Sequence, residues 1–190
     1  MSRLFRILTA FIIMLSFASC STTRVLQDGQ YRLRKNKIEV TNDKDFNTNI
    51  LTPYLKQKSI GWTPFMNVFN WSNGKGKTWD KIVGRIGVAP AVYDASLVDA
   101  TIANFIEHLE YIGYYDSKVE SEINLHNRKV DVIYKVTLGK RFPISEIQLD
   151  LPQRGEFTQT FLEDTASMII KRGDFLSESL LSEESDRSAA

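Results

Sequence analysis

The chain has 190 residues, of which 43% are hydrophobic and 25% charged, and its formal net charge is +1. That balance leaves no electrostatic footprint for nucleic acid, which needs a surplus of Lys and Arg. A single cysteine excludes an internal disulfide framework and a cysteine-built metal site.

The first segment, MSRLFRILTAFIIMLSFASC, sets Arg3 and Arg6 ahead of an apolar run, with Ala18 and Ser19 just before Cys20. This is the layout of a secretory signal peptide over residues 1–19. The stretch from Ile7 to Ala18 is about 12 residues, or roughly 18 Å as a helix, and falls short of a hydrocarbon core of about 30 Å. Cys20 after Phe17-Ala18-Ser19 resembles a bacterial lipobox, in which cleavage leaves the cysteine as an acylated N-terminus. Phe17 stands where leucine is commoner, and an ordinary signal peptide with a coincidental cysteine is the competing reading. Buried acyl chains contribute about 0.8 kcal/mol per CH₂, so more than one chain makes a durable anchor. In lipoproteins an acidic residue just after the cysteine often redirects sorting. Ser21, Thr22, Thr23 and Arg24 follow here, and the resemblance therefore implies an outer-membrane lipoprotein facing the periplasm. Without Arg3 and Arg6 the mature chain carries a formal charge of −1.

Residues 20–34 read as a polar tether with an Asp28-Gly29 turn. KNKIEVTN, residues 35–42, then reads as a short strand, and DFNTNILTPYLKQK as a helix with Phe46, Ile50 and Tyr54 four apart. Pro53 should kink or split that helix. Residues 59–92 form an irregular insert rich in aromatics, including Trp62, Phe65, Phe69, Trp71 and Trp79. Within it, GKGKT raises the prospect of a nucleotide-binding enzyme. A P-loop needs a glycine five residues before Gly76, ahead of Lys77 and Thr78, so that backbone N–H groups can wrap the phosphates. Trp71 occupies that place, and no unbroken aliphatic strand precedes it. A glycine-rich turn with solvated lysines is the better reading.

The strongest pattern follows Asp94, which suits a helix N-cap. Val98, Ile102, Phe105, Ile106, Leu109 and Ile112 recur at helical spacing, and Gly113 stands where a C-terminal cap wants positive φ. The period then switches from 3.6 to 2. SKVESEINL sets Val119, Ser121, Ile123 and Leu125 on one face, and VDVIYKVTL alternates Val130, Val132, Tyr134, Val136 and Leu138 against Asp131, Ile133, Lys135 and Thr137. The two predict antiparallel strands sharing one buried face, joined by a turn at HNRK. Lys118, Glu120 and Glu122 supply the charge that protects an exposed edge, so the first strand is expected at the edge and the second in the centre. The order β, α, insert, α, β, β predicts an α+β fold.

His108 and His126 have no second ligand at metal spacing; they are expected as an exposed helix residue and a turn residue. No G-x-S-x-G elbow or acidic metal cluster stands out. No enzyme, metal, cofactor, nucleotide or nucleic acid is expected.

At HLEYIGYYDSKVESEI and RKVDVIYKVTLGKRFPISEIQL the chain resembles a POTRA domain of the BamA/TamA superfamily. The carrying features are Leu109, Tyr111, Gly113 and Tyr114 at the helix end, Val119 opening the next strand, and Leu138-Gly139 closing the third. The family's Y-x-x-G-Y turn is one residue shorter here. The resemblance, with the lipobox, is to lipidated TamA-like members. It implies a POTRA-like β-α-α-β-β domain over residues 35–140 with the 59–92 insert, then an incomplete second POTRA-like unit over 141–190. In that second unit Ile144, Ile147, Leu149 and Leu151 suit a strand, Phe157, Phe161, Met168 and Ile169 a helix, and Gly173 a stop. The family's C-terminal barrel is not found in these residues, so the chain is expected to be part of a longer protein.

The implied function is periplasmic binding of client or partner polypeptides in outer-membrane protein assembly or translocation, by adding a strand to an exposed edge. The expected partner-binding residues are Lys118, Val119, Glu120, Ser121, Glu122, Ile123, Asn124 and Leu125, beside the helix, with Cys20 as the lipidation site. The alternative is a stand-alone lipidated scaffold docking on another envelope protein.

Overall fold

A computed structural model describes residues 26–61, 65–66, 81, 85–150, 158 and 164–189. The signal peptide, Cys20, the GKGKT motif, Trp62, Phe69, Trp71, Trp79, Leu151, Phe157 and Phe161 lie outside these residues. The fold is α+β. Its elements are β1 (Arg32–Val40), two 3-10 turns (Thr48–Ile50 and Thr52–Tyr54), α1 (Ala95–Tyr111), β2 (Lys118–His126), β3 (Lys129–Thr137), a third 3-10 turn (Thr165–Ser167) and α2 (Glu178–Ser188).

The three strands pair in the order β1-β3-β2. β1 runs parallel to β3: the Arg32 N–H donates to the Arg128 carbonyl and the Thr41 N–H to the Val136 carbonyl, each at 2.9 Å. β2 returns antiparallel to β3 through Asn127 and Arg128, whose φ values of 43° and 60° make a two-residue turn matched to the strand twist. The sheet is therefore mixed, and a parallel pair requires a crossover such as the one that carries α1. β3 is central, as its β-branched composition predicts, and buries Val130, Val132, Tyr134 and Val136 on one face.

The described residues divide into two compact units. The first holds the chain up to Lys37, the part from Lys58 to Ala95, and Ile123–Val132. In it the start of β1 is gripped on both sides. The Leu33 N–H donates to the Ala91 carbonyl and the Tyr93 N–H to the Tyr31 carbonyl, so residues 91–93 lie along the outer side of β1. Leu33 is buried, and the Arg32 guanidinium reaches the Ile60 carbonyl at 3.0 Å. Arg32–Arg34, expected in the tether, thus belong to β1. A buried leucine and three backbone bonds at residues 31–33 outweigh the polar composition around them. Arg34 grips Asp131 through both carboxylate oxygens, and holds that carboxyl below its ordinary range.

The second unit holds Ile38–Gln57, Ser96–Glu122 and the chain from Ile133. α1 buries Val98, Thr101, Phe105 and Leu109, and the Phe105 ring meets Tyr134 edge-on at 5.3 Å. Gly113 takes φ 91° just past α1, as the cap predicts. The expected helix over residues 45–58 is instead the pair of 3-10 turns. Pro53 stands in the first turn of the second one, and the Asn47 side chain accepts the Asn49 N–H, a local bond that competes with helical pairing. The residue this segment buries is Leu51, rather than the Phe46, Ile50 and Tyr54 set. Thr101 ties the segment to α1: its hydroxyl donates to the Leu97 carbonyl and accepts the Lys56 N–H at 3.1 Å.

Beyond Gly139 two further expectations give way. Residues 144–150 form no strand: after the Pro143–Phe175 bridge, Ile144 donates its N–H to the Asp174 carbonyl and accepts the Gly173 N–H, and no backbone partner continues the pairing past Ile144 among the described residues. Ile147 and Leu149 are exposed. Met168 and Ile169 lie past the Thr165–Ser167 turn rather than in a helix, because the Glu184 carboxylate accepts the Ile169 and Ile170 N–H groups. α2 is capped at its start by Ser177, whose hydroxyl accepts the Leu180 N–H.

Gly139 is where β3 meets the α1–β2 connection, and a Cβ there would lie 1.8 Å from the Tyr115 carbonyl oxygen and 2.7 Å from the Ser117 nitrogen. The backbone cannot retreat without breaking the two bonds exchanged by Tyr115 and Lys140. Gly139→Ala is expected to cost about 3 kcal/mol in urea unfolding, whereas Gly61→Ala, with open space around it, should stay within about 0.5 kcal/mol.

Candidate functional site

β2 pairs with β3 alone, and its other edge has no strand partner among the described residues. The two-residue turn fixes the register. With His126 opposite Lys129, Asn124, Glu122, Glu120 and Lys118 direct their backbone groups to β3, and the alternate residues direct theirs outward. The bonds on the other side of β3 agree, since the carbonyls of Arg128 and Val136, both even-numbered, go to β1. The outward set is Val119, Ser121, Ile123 and Leu125, four residues offering N–H and C=O groups to a further strand.

The eight expected binding residues all lie in this one strand, but their side chains do not share one environment. Lys118, Glu120 and Glu122 are exposed, as edge protection requires, and Glu122 pairs with Lys135 at 2.6 Å, raising the lysine pKa. Ser121 and Asn124 are half-buried. Of the face expected to be buried, Val119 alone is, at 8% exposure; Ile123 and Leu125 stand 43% and 59% exposed. Their cross-strand neighbours on β3, Val132 and Val130, are fully buried. The cover over that face therefore stops short of the far half of β2. Among the described residues the outer edge of β2 thus combines backbone that has no strand partner with exposed aliphatic side chains, a combination that edge strands normally avoid.

A second feature escaped the sequence. An open cavity of about 520 Å³ lies at the C-terminal end of α1, where His108 stacks on the Tyr54 ring at 4.0 Å and 24°. Tyr111 follows in a near-parallel plane, 6.2 Å from the imidazole. Glu107 and Glu110 from α1 and Glu178 from α2 complete its rim, and Asn104 fixes Tyr54 by donating to its carbonyl at 3.3 Å. His108 is thus half-buried rather than exposed, and that burial lowers its pKa. The i, i+3, i+4 spacing of Glu107, Glu110 and Tyr111 is visible in sequence; the arrival of Tyr54 and Glu178 beside them is not.

Among the described residues no group of three His, Cys, Asp or Glu side chains could hold a metal ion, and no helix is long and apolar enough to cross a membrane. No known protein-family model matches the chain, and no curated protein matches it.

Because the folded state disfavours the imidazolium of His108, the unfolded chain takes up this proton first as pH falls. Stability should decline as pH drops from the ordinary histidine value of about 6.5 through the lower folded value. An NMR titration of His108 should place its midpoint below that reference, and Tyr54→Ala, by opening the ring to water, should move it up.

Proposed function

We propose that the chain is the POTRA-bearing periplasmic region of a TamL-like outer-membrane lipoprotein of the BamA/TamA superfamily. In this reading the open edge of β2 captures extended segments of client or partner polypeptides during outer-membrane protein assembly or translocation. The observation that carries the reading is the edge itself: four outward backbone positions on β2, two of them bearing exposed aliphatic side chains. Strand addition draws affinity from main-chain hydrogen bonds and modest selectivity from alternate side chains. Val119, Ser121, Ile123 and Leu125 would bond an incoming strand, while Ile123 and Leu125 would shelter its apolar residues. The task is binding rather than catalysis, and takes no cofactor or nucleotide.

The order of β1, 3-10 turns, α1, β2 and β3 supports the POTRA-like assignment, as do the Tyr111–Tyr114 turn and Gly113 at φ 91°. Acyl chains on Cys20 would hold the protein to the inner leaflet of the outer membrane. Residues 141–190 would belong to a second POTRA-like unit.

Two measurements bear on this. Ser121→Pro removes an outward N–H without touching the β3 ladder, and should lower capture of a synthetic ten-residue peptide of alternating apolar and polar residues by about tenfold, or about 1.4 kcal/mol. Equal capture by a folded Ser121→Pro protein would reject the edge. In bacteria, Cys20→Ala should abolish incorporation of labelled palmitate and release the protein from the membrane fraction.

A further inference from the structure

The cavity at the end of α1 has no part in strand addition, and its chemistry is of one sign. Glu107, Glu110 and Glu178 face it, and none of the three takes part in an ion pair among the described residues. Glu110 lies in the last turn of α1, the negative end of the helix dipole, where a cation is favoured. Acidic side chains alone would be a solvated helix end. Here they surround a built wall: Tyr54, His108 and Tyr111 form a stack of near-parallel rings, set by Asn104 and by the Pro53 turn. Aromatic faces attract cations through their quadrupole. The central ring is a histidine whose burial favours the neutral form, so it adds no competing positive charge at neutral pH.

From this geometry we propose that the cavity receives an arginine side chain of a partner polypeptide. A guanidinium is planar, stacks on aromatic rings, and presents a fork of donors that carboxylates accept in pairs. The parallel rings offer the stacking plane, and Glu107 and Glu110, three apart on one helix face, offer the paired acceptors, with Glu178 closing the other side. A lysine ammonium would use the charge but not the plane. The cavity, at about 520 Å³, admits the side chain together with its flanking backbone. The assignment stands whether or not β2 accepts a strand.

The test is titration of the full chain with N-acetyl-arginine-amide, followed by NMR shifts of Tyr54, His108 and Tyr111. Saturable shifts at these three rings are expected, with N-acetyl-lysine-amide weaker and the uncharged isostere N-acetyl-citrulline-amide inert. Glu107→Gln with Glu110→Gln should weaken arginine binding about tenfold, with the Gly113-capped helix intact by circular dichroism. Should that double variant unfold, Glu178→Gln on the other helix should give a loss in the same direction. Equal binding of citrulline and arginine, no shift at the three rings, or undiminished binding in the glutamine variants would overturn the proposal. So would tighter binding to phosphatidylethanolamine vesicles than to an arginine peptide, which would make the cavity a lipid headgroup site.

Discussion

β3 has to satisfy its backbone on both sides while burying one face, and the remainder of the structure is arranged around that demand. Val130, Val132, Tyr134 and Val136 leave water together, so a slip of one residue would place Asp131 and Lys135 in the core. Parallel β1 occupies one edge and antiparallel β2 the other. Asn42 closes the end of the β1 side, donating from its amide to the Leu138 carbonyl at 2.8 Å and accepting the Leu138 N–H at 2.9 Å. With both edges of β3 consumed, hydrogen-bonding capacity is passed outward to its neighbours. The start of β1 passes it on to residues 91–93, whereas β2 has no further neighbour among the described residues. The candidate binding edge is thus a consequence of strand order rather than an addition to the fold.

Periodicity carried most of what was legible in the sequence. α1 and the β2–β3 hairpin follow directly from the switch of apolar spacing, because each buries a face whose period is set by its own geometry. Their order in the sheet followed from charge on one strand and β-branching on the other. The failures have two causes, local backbone chemistry at one place and what lies opposite at another. Phe46, Ile50 and Tyr54 keep a helical spacing, but Asn47 and Pro53 settle the backbone first. Ile123 and Leu125 continue the apolar alternation of Val119 beyond the point where anything covers it. No pattern within β2 could show that.

The cavity by α1 was opaque for a related reason. His108 looked like one more polar residue on an exposed helical face, and only the 3-10 turn at Thr52–Tyr54 brings Tyr54 against it. The same turn that displaced the expected helix therefore creates the aromatic stack. Local backbone chemistry at Asn47 and Pro53 decides a surface feature more than fifty residues downstream. The expected lipidation of Cys20 is of the opposite kind: it rests on the linear layout of the residues before the cysteine rather than on packing, and stays an expectation of the sequence.

The central claim is that the outward backbone of β2 pairs with an incoming strand. Amide hydrogen exchange followed by NMR, with and without a synthetic strand peptide, reads that pairing residue by residue. The account predicts new protection at Ser121, Ile123 and Leu125, with Glu120 and Glu122, already bonded to β3, little changed. Binding of the peptide with no gain at the outward residues, or with protection appearing elsewhere, would contradict it.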